Sequence, residues 1–176
     1  MTDPAQYKQS MAPVGAGDAR LLILGSLPGD ASIAAQRYYA HPTNQFWRLL
    51  GRAIGEQLAA LRHDARLARL ADRRIALWDV LADATRAGSL DTAIRDPRAN
   101  PLSAFVATHP RLEAIAFNGK TAAAIGRRGL RAVTGLHLID LPSSSAAFTR
   151  SFDEKMRDWA ALGDFAGPPI SANKRS

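Results

Sequence analysis

The sequence predicts an α/β protein, a three-layer α/β/α sandwich around a four-stranded, mostly parallel sheet. Four apolar runs, at residues 20–25, 75–78, 112–117 and 136–141, each stop at a Gly, Asp, Asn or Pro-Ser turn, as buried strands do when they deliver a loop to the end of a sheet. Helical patterns separate the runs, and strands alternating with helices select a parallel sheet with right-handed crossovers. At 176 residues and 47% hydrophobic, the chain fits one domain spanning 1–176, with a core over about 13–163.

The elements follow in order. Residues 1–19, with Pro4, Pro13, Gly15 and Gly17, read as an extended lead-in. The first strand ends at Gly25, and Ser26, Leu27, Pro28 and Gly29 form the turn after it. Phe46, Leu49, Leu50, Ala53 and Ile54 recur at i, i+3, i+4, i+7 and i+8, predicting an amphipathic helix over about 44–55 with Thr43 as its N-cap. The Ala-, Leu- and Arg-rich stretch 56–74 continues as surface helix. The second strand ends at Trp78-Asp79, and 86–101 reads as a loop with a short helix that leads into a helical turn at 102–107. The third strand delivers Asn118-Gly119 to a helix over 120–128. The fourth delivers Pro142, Ser143, Ser144 and Ser145. Phe152, Met156, Trp159 and Gly163 share one face of a closing helix, and 168–176 reads as a flexible basic tail. In such a sheet all four strand ends converge on one rim, where ligands bind.

Composition narrows the function. Twenty-three Lys plus Arg against sixteen Asp plus Glu give a formal charge of +7, which favours polyanionic partners through long-range attraction and counterion release. There is no cysteine, so disulfides, thiolate catalysis and Cys-ligated clusters are excluded. His41, His63, His109 and His137 are dispersed without metal-ligand spacing, so neither a metal nor a cofactor is expected. The turn after the first strand lacks Gly-Lys-Ser/Thr and Gly-x-Gly-x-x-Gly, which disfavours both nucleotide fingerprints. Without a signal-like start or a membrane-length apolar run, a soluble, cytoplasmic, monomeric protein is the expectation.

The segment Tyr38-Tyr-Ala-His-Pro-Thr-Asn-Gln-Phe-Trp47 packs aromatic rings, His41 and Asn44 against the start of a helix, chemistry suited to holding a flat polar ring. Tyr39 and Phe46 can stack on such a ring, although Phe46 also begins the buried stripe. Asn44 either caps the helix or presents its amide to a ligand. Asn118 is either a turn residue or a base-edge ligand, and Asp79 either a solvated strand end or a carboxylate at the same rim. His41 can donate to a phosphate or a base, or bond to backbone. The hydroxyls and N–H groups of Ser143, Ser144 and Ser145 can grip phosphates, and Ala146, Ala147 and Phe148 could enter a base stack.

These motifs resemble the uracil-DNA glycosylase superfamily, in particular its deoxyinosine (hypoxanthine-DNA) branch. Gly25-Ser-Leu-Pro-Gly29 is similar to the first active-site motif, 38–47 to the branch's own signature, and 140–147 to the Pro-Ser loop that pinches the DNA backbone. The resemblance implies the superfamily's four-stranded fold and a monofunctional glycosylase that removes a deaminated base from double-stranded DNA. It places Asn44 and Asn118 as catalytic candidates. Gly25 to Gly29, Tyr39, His41, Phe46, Trp78 and Asp79 fall around the base, and Pro142 to Ser145 on DNA. Many relatives carry a water-activating carboxylate where this chain has Leu27, so an amide mechanism centred on Asn44 is implied instead. Hypoxanthine and uracil both present a carbonyl beside an N–H, so uracil or mismatch specificity, or a non-catalytic DNA-binding role, stand as alternatives.

Overall fold

The structure, a computed structural model, describes residues 4–15 and 17–168. Its strands are β1 (Gln6–Gln9), β2 (Leu21–Gly25), β3 (Ile75–Asp79), β4 (Leu81–Arg86), β5 (Ile94–Ala99), β6 (Ala114–Asn118) and β7 (His137–Leu141). Its helices are α1 (Asp30–Ala35), α2 (Phe46–Ile54), α3 (His63–Asp72), α4 (Leu102–Ala107), α5 (Lys120–Gly129) and α6 (Phe152–Trp159).

The central sheet has the order β3-β2-β6-β7 with every pairing parallel. Alternate residues of β2 point to opposite faces, so each face acquires its own core. Leu21 and Ile23 pack with Phe46, Leu49, Leu50 and Trp159 on one side. Leu22 and Leu24 pack with Ile115, Phe117, Ala122 and Leu130 on the other. Three layers result, as the alternation of apolar runs predicts. From β2 the chain turns out to β3, then returns to β6 on the opposite flank. That reversal opens a crevice beyond the carboxyl ends of β2 and β6.

Several local expectations are corrected. Residues 6–9 of the lead-in form β1, which joins β4 and β5 in a second, antiparallel sheet of order β1-β4-β5. The stretch 86–101 read as a loop because β5 is almost wholly exposed and carries Pro97, a pattern tolerated on an edge strand. The short helix expected there is a 3₁₀ turn at Asp91–Ala93. Helix α1 gave no periodic signal, being six residues long. The helix expected over 56–74 breaks into a 3₁₀ turn, Leu58–Ala60, and α3. The expected tail lies, apart from Pro168, outside the described residues.

Candidate active site

The four strand ends meet. Gly25, Ser26, Leu27, Pro28, Gly29, Tyr39, His41, Asn44, Asp79, Asn118, Ser143, Ser144 and Ser145 line one cleft of about 490 Å³, the size of a small-molecule site. Phe46, Trp78 and Pro142 do not line it. Phe46 is fully buried and lies behind Tyr39, their rings stacked 3.7 Å apart. Trp78 packs on Phe105 and donates its indole N–H to the Met11 carbonyl. The Pro142 carbonyl accepts the indole N–H of Trp159. Phe46 therefore supports one wall from behind.

Asn44 precedes α2 rather than opening it. The N-cap is Gln45, whose side chain makes no cap bond. The Asn44 Oδ1, one residue earlier, accepts the first helical N–H, that of Phe46, at 3.0 Å, and Thr43 is therefore not the N-cap. Thr43 instead donates its N–H to His41 Nδ1 at 3.2 Å, with its hydroxyl 2.9 Å from the same nitrogen. In the neutral ring this leaves the proton on Nε2, at an exposed position on the cleft rim. The Asn44 amide is thus half committed: its oxygen is fixed, and its Nδ2 has no protein partner among the described residues. Capping and ligand binding, which looked like alternatives, are compatible in one side chain.

Asp79 and Tyr39 meet at the end of β2. A Cβ on Gly25 would lie 2.8 Å from Asp79 Oδ1 and 3.1 Å from the Tyr39 hydroxyl, so only glycine leaves room for both groups. Tyr39 holds a left-handed backbone, φ 54°, a strained conformation that persists where surrounding structure enforces it. Here the Phe46 stack supplies that enforcement. The Tyr39 hydroxyl is buried without a hydrogen-bond partner, and its burial raises the pKa.

Asp79 is buried, with Oδ2 accepting the Ser10 hydroxyl at 2.8 Å. Burial lifts its carboxyl from 3.8 to about 7, against the opposing pull of the Ser10 bond and the Arg86 charge. The folded chain therefore holds this proton more tightly than the unfolded chain. Stability from this group is greatest at low pH and is lost as pH climbs from 3.8 towards about 7. Asp79→Asn should melt progressively higher relative to the native chain between about pH 4 and about pH 7. Thermal melts across that range would refute the assignment if the native chain gained on the variant instead.

Asn118 is turned inward. Its Nδ2 donates to Ser144 Oγ and its Oδ1 accepts Ser144 N–H, both at 2.8 Å. Ser144, with 1% of its surface exposed, is thereby committed to the fold, and its carbonyl accepts Gln45 N–H at 3.0 Å. The Asn118 amide holds the Pro-Ser loop, and the loop in turn holds the start of α2. Ser143 Oγ and Ser145 Oγ each accept a backbone N–H two residues on, both at 3.2 Å. Accepting leaves their O–H groups able to donate outward. Lys155, buried at 1% exposure, donates to the Ser145 carbonyl at 3.0 Å.

Another wall was invisible to sequence reasoning. Asp30, Ser89, Leu90 and Asp91 also line the cleft. Arg86 is fully buried and donates Nε to the Gly88 carbonyl at 3.0 Å, Nη1 to the Leu27 carbonyl at 3.3 Å, and Nη2 to the Pro28 carbonyl. Ser26 donates its hydroxyl to Asp91 at 2.6 Å. Lys8, almost wholly buried, pairs with Asp30. Nothing in the linear sequence marks these charges as internal; their signal is the β4–β5 hairpin, which lacks an apolar alternation strong enough to be read.

Among known proteins, a family model described as the Uracil DNA glycosylase superfamily matches residues 12–163. A Methanosarcina barkeri protein named hypoxanthine DNA glycosylase is 42% identical over 153 residues, 87% of this chain and 96% of its own length. A protein of the same name from Methanosarcina acetivorans is 41% identical over 147 residues, 82% of this chain and 90% of its own. A Methanosarcina acetivorans protein solved by solution NMR superposes with a TM-score of 0.81 at 39% identity, covering 90% of this chain and 97% of its own. With the family match covering residues 12–163, the chain belongs to the uracil DNA glycosylase superfamily.

Proposed function

We propose that this protein is a monofunctional DNA glycosylase that hydrolyses the N-glycosidic bond of deoxyinosine in double-stranded DNA, releasing hypoxanthine and leaving an abasic site. The observation that carries the reading is Asn44: it lines the cleft with its carbonyl pinned by Phe46 N–H and its NH₂ without a protein partner among the described residues, while Leu27 stands where many relatives place a carboxylate. The two similar proteins named for hypoxanthine agree with it.

The steps follow from the walls. An extruded nucleotide enters the cleft base first, and Tyr39, backed on one face by Phe46, offers its other face for stacking. As the glycosidic bond breaks, the sugar gains oxocarbenium character and the base gains negative charge; water then adds to C1′ to give the abasic sugar, and the proton it sheds ends on the released base. The Asn44 NH₂ donates to that charge, and being pre-aligned by its cap bond it needs no reorganisation. Ser143 and Ser145 donate to backbone phosphates, which positions the strand without reading it.

The test is incubation with matched duplexes carrying one deoxyinosine, deoxyuridine or deoxyxanthosine, then alkali to cut abasic sites. Deoxyinosine should be cleaved fastest, only after alkali, and equally with chelator, since no cluster of three His, Asp or Glu that could hold a metal occurs among the described residues. Faster release of uracil would overturn the base assignment. Inactivity on all three would overturn the enzyme.

A further inference from the structure

We propose that Lys155, buried behind the Pro-Ser loop, is the positive charge that answers the DNA phosphate gripped by Ser143 and Ser145. The proposal rests on the glycosylase reading for its ligand and adds to it a positioning residue that does not itself line the cleft. A buried ammonium without a carboxylate is costly to a fold. One kept beside a phosphate-binding loop points to an anion that arrives from outside.

Helix α6 is the platform on which the loop rests. Lys155 lies midway along it, almost wholly buried, and donates to the Ser145 carbonyl at 3.0 Å. One turn on, Trp159 donates its indole N–H to the Pro142 carbonyl, also at 3.0 Å, since residues i and i+4 share a helix face. The Gln45 N–H takes the Ser144 carbonyl. These loop carbonyls are thus held by protein donors, while the Ser143 and Ser145 hydroxyls, at the cleft, accept backbone N–H groups and keep their own protons to donate. With its acceptors occupied and its donors free, the loop has the polarity that an anion requires.

Among the described residues no carboxylate pairs with Lys155. Its ammonium has three donors, and it meets one neutral oxygen and the Phe148 ring, whose centre is 5.6 Å from Nζ. The three carboxylates of α6 are engaged elsewhere. Asp153 pairs with Arg52 at 3.6 Å and Asp158 with Arg150 at 3.7 Å, while Glu154 accepts the Ser151 N–H and hydroxyl, both at 2.8 Å. Burial accordingly holds the Lys155 pKa below the ordinary lysine value, with no charge opposing the shift. Nor does the Ser145 carbonyl depend on an ammonium, because the Phe148 N–H reaches it at 3.1 Å. What the lysine adds at this position is charge, and a charge shielded from solvent is weakly screened, so it reaches a phosphate held on the loop in front of it.

The test compares native protein with Lys155→Met, which keeps the stem and removes the charge. On undamaged duplex, Lys155→Met should bind about tenfold more weakly at low salt, and its log-log salt slope should be shallower by about one. Its melting temperature should hold or rise, because an apolar chain replaces an unpaired buried charge. A second arm uses a duplex with 2′-fluorinated deoxyinosine, in which the electron-withdrawing fluorine blocks bond breaking, and places one neutral methylphosphonate at each nearby linkage in turn. At one linkage the neutral group should weaken native binding about tenfold yet change Lys155→Met binding less than about twofold, the coupling expected of two charges that meet. Ser143→Ala should be blunted at that same linkage. A lower melting temperature for Lys155→Met, or a native salt slope, would make the lysine a structural tie and overturn the proposal. So would native affinity in that variant, or a scan in which no linkage separates the two proteins. A native protein that shows the coupling yet releases no base from deoxyinosine, deoxyuridine or deoxyxanthosine would overturn the glycosylase reading and leave the phosphate charge standing.

Discussion

Asn44→Asp should fold normally, bind deoxyinosine duplex, and cleave it on the order of a hundredfold more slowly, the loss expected for one preorganised donor. The substitution is chosen because the structure divides the Asn44 side chain by function. The oxygen that accepts Phe46 N–H at 3.0 Å survives in aspartate, so α2 keeps its cap. The two N–H donors vanish and a negative charge faces the departing anionic base. Asn44→Ala, in contrast, loses cap and donor together, and its melting temperature should fall as well. Comparing single-turnover rates and melts for both variants separates chemistry from folding. A nearly native rate for Asn44→Asp would remove the amide from the mechanism and turn attention to Asp79, whose carboxyl is part-ionised near neutrality because burial raises it to about 7. A carboxylate mechanism would then show a rate that rises with pH through that value.

How much of this site could be read from the chain depended on whether each residue's role is local. The buried strands were legible because parallel strands covered on both faces are written as continuous apolar runs, and β2, with all five residues buried, is the plainest case. Once those strands are placed, their ends must converge, so Gly25, Asp79, Asn118 and Ser143 could be assembled into one rim without coordinates. Roles set by distant partners were not legible. Phe46 belongs to both the aromatic segment and the helical stripe, and only the 3.7 Å stack on Tyr39 shows that it supports a ring instead of touching the ligand. Asn118 has the composition of a turn and the position of a ligand; its two 2.8 Å bonds to Ser144, 26 residues away, give it a third role as the tie of the Pro-Ser loop. The β1-β4-β5 sheet escaped because its edges are polar and short, the very features that keep exposed edges from pairing with other chains.

That second sheet carries the other large effect. Arg86→Ala should destabilise the fold by about 3 kcal/mol or more, the range for removing one partner from a buried charge network. Arg86 is fully buried, so its removal leaves the buried Leu27 and Pro28 carbonyls without their donor and the Gly88 carbonyl with Lys8 alone. It also strips Asp91 of the cation 3.9 Å away, while Asp91 continues to hold the Ser26 hydroxyl. Because those carbonyls belong to the first-motif loop and to the turn before Leu90, two walls of the cleft loosen together. Cleavage should therefore fall even at temperatures where the variant is folded, and Arg86→Lys should recover only part of it, since an ammonium cannot span three carbonyls in one plane as the guanidinium does. Arg20→Ala is the control: its bidentate pair with Glu113 lies at the surface, far from these walls, and should shift neither the denaturant midpoint nor the rate appreciably. If Arg86→Ala unfolded at the native midpoint, the buried guanidinium would not be what fastens the hairpin to the active-site loop.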